Sequence, residues 1–333
     1  MSFKAIVLEK DENHGFTCSI KTVPQQQLLA QQGDTLIEVH YSSINYKDAL
    51  ALTNKSPVVR QWPMIPGIDG VGCVIESANG HYQKGDMVIL NGWGCGETHW
   101  GCLGQYAYLK SQWLIPLPQN ITPYQSMVLG TAGYTAALCV KRLLDFGIKP
   151  QNGAILVTGA SGGVGSVAVA LLSKLGYSVT ASTSKMDDQD YLRKLGATNI
   201  IDSQPLKQTG KPLQKEQWAA VVDVVGSHTL ANACAQTQYG GIVACCGLAQ
   251  GIDLPATVAP FILRGVTLAG VDSVMATYQN RLAAWQLLSQ HLDASMLSHI
   301  GKTITLNDCN DIATKMIAGQ IKGRYVVDVN KCI

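Results

Sequence analysis

Charge is scarce in this 333-residue chain: Asp, Glu, Lys and Arg make up 14% of it, and 25 basic against 23 acidic residues leave a net charge of +2. No basic run gathers that charge, so nothing in the sequence provides an electrostatic footprint for nucleic acid or for an anionic membrane surface. Long apolar runs are missing as well, each being interrupted by Gly, Ser or a charge short of the length a membrane span needs. The opening MSFKAIVLEK reads as a short strand rather than a secretory signal, and the expected location is cytoplasmic. Cysteine is plentiful, but C-x-x-C pairs are absent. The ten cysteines are scattered through apolar contexts, which argues for reduced, buried thiols. GWGCGETHWGCLG places Cys95, Glu97, His99 and Cys102 on one loop, at a spacing that fits no zinc pattern. Repeats and low-complexity tracts are lacking too, while 47% hydrophobic residues can build a large core, expected as two domains.

Against these absences stands one dense signal, ILVTGASGGVGSVAVALLSKLG from Ile155 to Gly176. It reads as a buried strand, a glycine-rich turn and an amphipathic helix from about Gly163 to Leu175. Gly159, Gly162 and Gly165 fall at G-x-x-G-x-x-G spacing, suited to a tight turn, backbone approach to a diphosphate, and close helix–strand packing. The helix would aim its N-terminal N–H groups and positive dipole end at that diphosphate. The next strand, Tyr177 to Ser182, runs into Thr183, Ser184 and Lys185. Hydroxyls and an ammonium suit a 2′-phosphate and favour NADP over NAD, which usually receives a carboxylate here. Asp187 and Asp188 lie just beyond and could supply that carboxylate, and Ser184 could instead be an ordinary helix cap.

The chain changes texture along its length. Up to about Leu117 it is β-rich, with strands expected around Ala5–Leu8, Thr35–Tyr41, Gly70–Ile75, Met87–Asn91 and Gln105–Lys110. From Pro123 helices and parallel-type strands alternate: helices about Pro123–Leu129 and Ala132–Asp145, the glycine-rich start, the near-continuous apolar strands AAVVDVVG and GGIVACCGLA, then TLAGVDSV. Lys302–Val329 returns to strand, helix, strand and is expected to rejoin the first domain. The fold class is α/β, a Rossmann-type doubly wound parallel sheet plus a β-rich domain. The expected boundaries are 1–122 with 298–333, and 123–297.

The segments INYKD, PMIPGIDGVG, KGDMVI, VTGASGGVGS and GQIKGRYVV resemble the medium-chain dehydrogenase/reductase superfamily in its zinc-independent quinone oxidoreductase branch. SSINYKDAL, GWGCGETHWGCLGQYA, TAGYTAALCV, YGGIVACCGLA and PFILRGVTLAGVDSVM narrow the resemblance to the acrylyl-CoA reductase subfamily, over essentially the whole chain. It implies a GroES-like catalytic domain and NADPH-dependent reduction of the 2,3-double bond of acrylyl-CoA to propionyl-CoA. Where zinc-dependent relatives carry ligands, this chain has Asn45, Tyr46, Lys47 and Asp48, then Gly67, Ile68 and Asp69, then Gly130 and Thr131. That set cannot assemble a soft N/S tetrahedron, so no metal is expected and activation falls to hydrogen bonds. Hydride transfer to the β-carbon develops charge on the thioester oxygen, which donors in a dry site would stabilise.

The resemblance places Asn45, Tyr46 and Asp48 at the reacting centre. Tyr46 could be a wedge against the nicotinamide or a proton donor, and Asp48 could fix the loop by accepting backbone N–H groups. Ser161, Gly162, Gly163 and Val164 match the diphosphate loop, and Thr183, Ser184 and Lys185 the 2′-phosphate turn. Ser203 would face the adenine, Leu248, Ile262 and Ser273 would line the nicotinamide crevice from strand ends, and Arg324 could reach a phosphate. Trp62, Trp93 and Trp100 could wall a pocket or anchor packing. The expected partners are a small enoyl-CoA or quinone substrate and a second copy in a homodimer, with no nucleic acid and no membrane. A quinone oxidoreductase would share every cofactor feature, and a non-catalytic NADPH-binding protein would keep the glycines and Lys185 without turnover.

Overall fold

The computed structural model describes residues 2–11 and 15–331. In chain order its elements are β1 Ser2–Asp11, β2 Gly15–Pro24, α1 Gln25–Leu29, β3 Thr35–Ile44, α2 Tyr46–Leu52, β4 Asp69–Ser77, β5 Met87–Asn91, β6 Tyr106–Leu109, β7 Leu114–Pro116 and α3 Pro123–Phe146. They continue as β8 Ile155–Val157, α4 Gly163–Lys174, β9 Val179–Thr183, α5 Gln189–Lys194, β10 Asn199–Asp202, β11 Trp218–Asp223, α6 Ser227–Gln236, β12 Thr237–Cys245, α7 Ala259–Arg264 and β13 Thr267–Gly270. The last are α8 Tyr278–His291, α9 Ala294–Ile300, β14 Gly301–Thr305, α10 Cys309–Ile317 and β15 Arg324–Asp328. No helix among the described residues is long and apolar enough to cross a membrane.

Two compact units result. One holds Met1–Thr131, Val274–Leu282 and Gly301–Ile333, the other Ala132–Ser273 and Ala283–Ile300. Segments 123–131 and 274–282, expected with the nucleotide domain, cluster with the first unit. For the earlier segment the tie is visible in Thr131, whose backbone and hydroxyl both bond Asp69.

The first unit is built on a seven-stranded sheet, ordered β14-β15-β3-β4-β5-β7 with β6 also on β3, beside the β1–β2 hairpin. Only β14 and β15 pair in parallel; the other pairs are antiparallel. Ile37, Val39, Val74, Val88 and Leu90 fill the core beneath it. The return of Lys302–Val329 to this sheet, read from the sequence, is what the β14–β15–β3 pairing shows. In the second unit all six strands are parallel, in the order β10-β9-β8-β11-β12-β13. This is the doubly wound arrangement in which the strand order reverses between β8 and β11, and ligands bind beyond the carboxyl ends of the strands there. Strands β8, β9 and β11 are buried along their whole length, which is why β8 and β11 read as near-continuous apolar runs.

Candidate active site and cofactor loop

In the first unit β3 ends at Ile44 and Asn45 caps α2, leaving Tyr46 as the first helical residue. Asp48, one turn on, is 1% exposed. Its Oδ2 accepts from the Asn45 N–H at 2.9 Å, and its Oδ1 from the N–H groups of Gly67 and Ile68 at 3.1 and 3.0 Å. Burial, reinforced by the nearby Asp69 charge, outweighs those donors and pushes its carboxyl up to about 6. Its acceptors are met by backbone donors, so Asp48 fixes the loop that carries Tyr46, the loop-fixing one of the two roles expected of it.

The side chain of Asn45 is equally committed. Its Nδ2 donates to Asp69 Oδ2 at 2.7 Å, and its Oδ1 accepts from Arg324 Nη1 at 2.9 Å. Asp69, fully buried at the start of β4, also accepts from Ser43 Oγ at 2.6 Å, Asn91 Nδ2 at 2.7 Å and the Thr131 hydroxyl at 2.6 Å. Arg324 opens β15 with 3% exposure, and its Nη2 lies 3.4 Å from Asp69 Oδ2. Each of its N–H directions has an acceptor: Val128 O for Nε, Ile44 O and Asn45 Oδ1 for Nη1, Ser43 Oγ and Asp69 Oδ2 for Nη2. The expectation that Arg324 reaches a cofactor phosphate is therefore corrected: its donors are consumed inside the unit. The three segments that hold ligands in zinc relatives thus converge on one buried carboxylate, Asp69, and a guanidinium supplies the positive charge beside it. Breaking such a buried pair from one side costs about 3–5 kcal/mol.

Tyr46 stands apart, 50% exposed and with no hydrogen-bond partner for its hydroxyl among the described residues. Lys47 pairs with Glu97 at 2.7 Å. Cys95 and Cys102 are fully buried, and both ring nitrogens of His99 face carbonyl oxygens, those of Trp100 and Gln32. Among the described residues no three His, Cys, Asp or Glu side chains form a group that could hold a metal. The tryptophans anchor packing: Trp100 Nε1 bonds Pro63 O at 2.9 Å, Trp93 stacks on Trp113 at 6.4 Å beneath the Arg281 guanidinium, and Trp62 sits edge-on to Phe16.

In the second unit Gly162 caps α4 with extended backbone, and Gly163 and Val164 open the helix. Gly159 turns the chain after β8 with φ +58, and a Cβ on Gly165 would lie 2.3 Å from Gly159 O, so the loop and helix can approach only as glycine. Ser161 Oγ meets Thr183 Oγ1 at 2.7 Å, and Thr183 Oγ1 also accepts from the Lys185 N–H at 3.0 Å. Thr183 is thus buried within the turn, leaving Ser184 on its surface and Lys185 half-buried. Beside them the buried hydroxyls of Ser182 and Ser203, at the ends of β9 and β10, have no partner among the described residues. An orphaned buried hydroxyl is costly unless a ligand completes it. Leu248 follows β12 and Ser273 follows β13. Ile262 lies on α7, 72% exposed, not at a strand end as expected. Pro260 in the first turn and left-handed Gly265 at the end make that segment a helix. Sequence reasoning passed over Asp69 as a hub, although a carboxylate inside the otherwise apolar IPGIDGVGCVI was its signal.

A doubly wound sheet with this glycine loop, joined in one chain to a β-rich unit, defines a nucleotide-dependent oxidoreductase. Residues 31–119 match the alcohol dehydrogenase GroES-like domain and residues 163–290 the zinc-binding dehydrogenase domain. Acrylyl-CoA reductase AcuI of Ruegeria pomeroyi is 46% identical over 98% of this chain and 99% of its own. The Escherichia coli YhdH structure with bound NADPH superposes with a TM-score of 0.94 at 46% identity, covering 98% of this chain and 100% of that one. Bacillus subtilis yhfP, solved with NAD bound, gives 0.93 at 41% identity, covering 99% and 100%. The chain belongs to the medium-chain dehydrogenase/reductase superfamily, in its zinc-independent quinone oxidoreductase branch and the acrylyl-CoA reductase subfamily.

Proposed function

We propose that this protein reduces the 2,3-double bond of a short enoyl-CoA with NADPH, converting acrylyl-CoA to propionyl-CoA without zinc. The observation that carries the reading is the full-length 46% identity to acrylyl-CoA reductase AcuI. NADPH, when bound, supplies the hydride. The chain's own residues do the rest. Ser161, Gly162, Gly163 and Val164, with the N-terminus of α4, bind the diphosphate. Ser184 and Lys185 take the 2′-phosphate, and the orphaned hydroxyls of Ser182 and Ser203 complete the polar lining nearby. Leu248 and Ser273 line the nicotinamide side. Asn45, its amide locked between Asp69 and Arg324, positions Tyr46, which packs against the nicotinamide. Following NADPH oxidation with acrylyl-CoA, crotonyl-CoA and small quinones tests the proposal; turnover of quinones alone would overturn it.

A quinone-reducing reading has one specific support, since the Bacillus subtilis relative at 41% identity is named as a quinone oxidoreductase; the same substrate panel separates the two. We further propose a cytoplasmic homodimer. Nine free cysteines among the described residues suit a reducing compartment. The second unit ends on edge strand β13 and exposes Ile252 at 90%, Val258 at 66% and Ile262 at 72%, a surface a second copy would cover. Sedimentation at a single monomer mass would overturn the dimer.

A further inference from the structure

Helix α2, which begins at Tyr46, ends in a tightly specified way. Thr53 caps it, Asn54 turns the chain at φ +49, the Asn54 N–H bonds Ala51 O and the Lys55 N–H bonds Leu50 O. This paired closure around a left-handed residue pins the backbone of Lys55 to the last turn of the helix. Two solvent-open cavities meet at that lysine. One, of about 410 Å³, is lined by Phe16, Cys18, Leu52, Thr53, Asn310 and Thr314 among others. The second, of about 300 Å³, is lined by Lys10, Asn54, Ser56, Pro57, Val59 and Trp62. Phe16 and Trp62 form an edge-to-face pair at 6.2 Å, so each cavity has an aromatic wall. Lys10 and Lys55 are exposed and enter no ion pair among the described residues, unlike Lys21, Lys47 and Lys315. In a chain so sparing of charge, two cations with no ion-pair partner among the described residues line an aromatic groove fringed by amides and hydroxyls.

That combination is the chemistry of a nucleotide phosphate site, in which cations meet phosphate oxygens and a base stacks on a ring. We propose that this groove holds the 3′-phosphorylated ADP end of the acyl-CoA substrate, with Lys55 and Lys10 on its phosphates and the base against Phe16 or Trp62. The assignment rests on the acyl-CoA reading above and deepens it. The geometry along the chain is consistent: α2 has seven residues, about 10 Å of helix, between Tyr46 and the groove. A pantetheine arm laid along it would place the thioester beside Tyr46 while the nucleotide stays at Lys55. The site would recognise the part of the substrate that does not react, so its binding energy acts on capture.

The test compares acrylyl-CoA with acrylyl-pantetheine, which lacks the nucleotide, in wild type, Lys55→Ala and Lys10→Ala. Loss of one phosphate contact should raise KM for acrylyl-CoA about tenfold with kcat held, and leave KM for acrylyl-pantetheine as in wild type. Unchanged KM for acrylyl-CoA in both variants, or an equal rise for both substrates, overturns the subsite. Adenosine 3′-phosphate 5′-diphosphate alone is titrated in parallel at saturating NADP. Binding to wild type that weakens in Lys55→Ala supports the groove even if wild type fails to turn over acrylyl-CoA, an outcome that would sink the functional reading instead. Absence of binding to wild type counts against the groove.

Discussion

In the 2′-phosphate site proposed at Lys185, one ammonium would separate two dinucleotides that otherwise differ by a phosphate. Lys185→Ala should weaken NADPH binding by about 1.5–3 kcal/mol, since a charge-assisted contact is lost, and leave NADH nearly unchanged. Fluorescence titration of both cofactors reads this directly, and an equal loss for both would refute the assignment. Tyr46 poses a different question, because its half-exposed phenol has no hydrogen-bond partner among the described residues. In the packing role Tyr46→Phe keeps kcat within about twofold, and Tyr46→Ala raises the NADPH Kd; a kcat loss on the order of 100-fold in the Phe variant would make the hydroxyl catalytic. Residue types at these positions were legible in the sequence, and so was the loss of zinc ligands at Asn45, Ile68 and Thr131. Their convergence on Asp69 was not, because it depends on partners up to 255 residues away, as in the Arg324 contact. Arg324 read as a phosphate ligand for the same reason, since nothing local in KGRYVV announces that acceptors for it lie on β3, β4 and α3.

Among the elements, α3 is continuous from Pro123 to Phe146 but broken in conformation at Gly130, with φ 50 and ψ −157. The sequence already suggested two helices separating there. The structure gives the reason: a Cβ on Gly130 would stand 2.4 Å from Asp69 Oδ2 and 2.5 Å from Arg324 Nη2. Gly130→Ala should therefore destabilise the protein by about 3 kcal/mol or more, combining an unfavourable backbone region with a disturbed buried ion pair. Urea denaturation checks it, and a loss below about 0.5 kcal/mol, the size of an ordinary surface substitution, would contradict it. β2 was not anticipated, since its alternation buries only Val23 fully and exposes polar residues along the rest. A half-solvated hairpin strand carries a weak apolar signal, whereas the strands of the parallel sheet, buried on both faces, carry a strong one.

For the molecule as a whole, the clearest pH signature comes from Asp48. Its carboxyl titrates near 6 in the fold against an ordinary value of 3.8, so the folded state holds the proton more tightly than the unfolded chain. Stability from this group is fully present below about pH 4 and is lost as pH rises through about 6, a change on the order of 3 kcal/mol. Asp48→Asn should flatten that slope even though the variant is less stable throughout; parallel slopes for both proteins between about pH 4 and 7 would exclude it. The nucleotide sheet was readable because glycine spacing and apolar runs are local, and the return of the far end to the first sheet was readable from its change of texture, whereas the clustering of 274–282 with the first unit was not. That discontinuity has a consequence for biosynthesis. The second unit's sheet, Ile155–Gly270, is complete once one uninterrupted stretch has left the ribosome, but β3 lacks its neighbour β15, and Asp69 its guanidinium, until residue 324 has been made. The domain that starts first is thus finished last, and through most of translation its nascent strands carry an open sheet edge and an uncompensated carboxylate, the period in which a chaperone has most to protect.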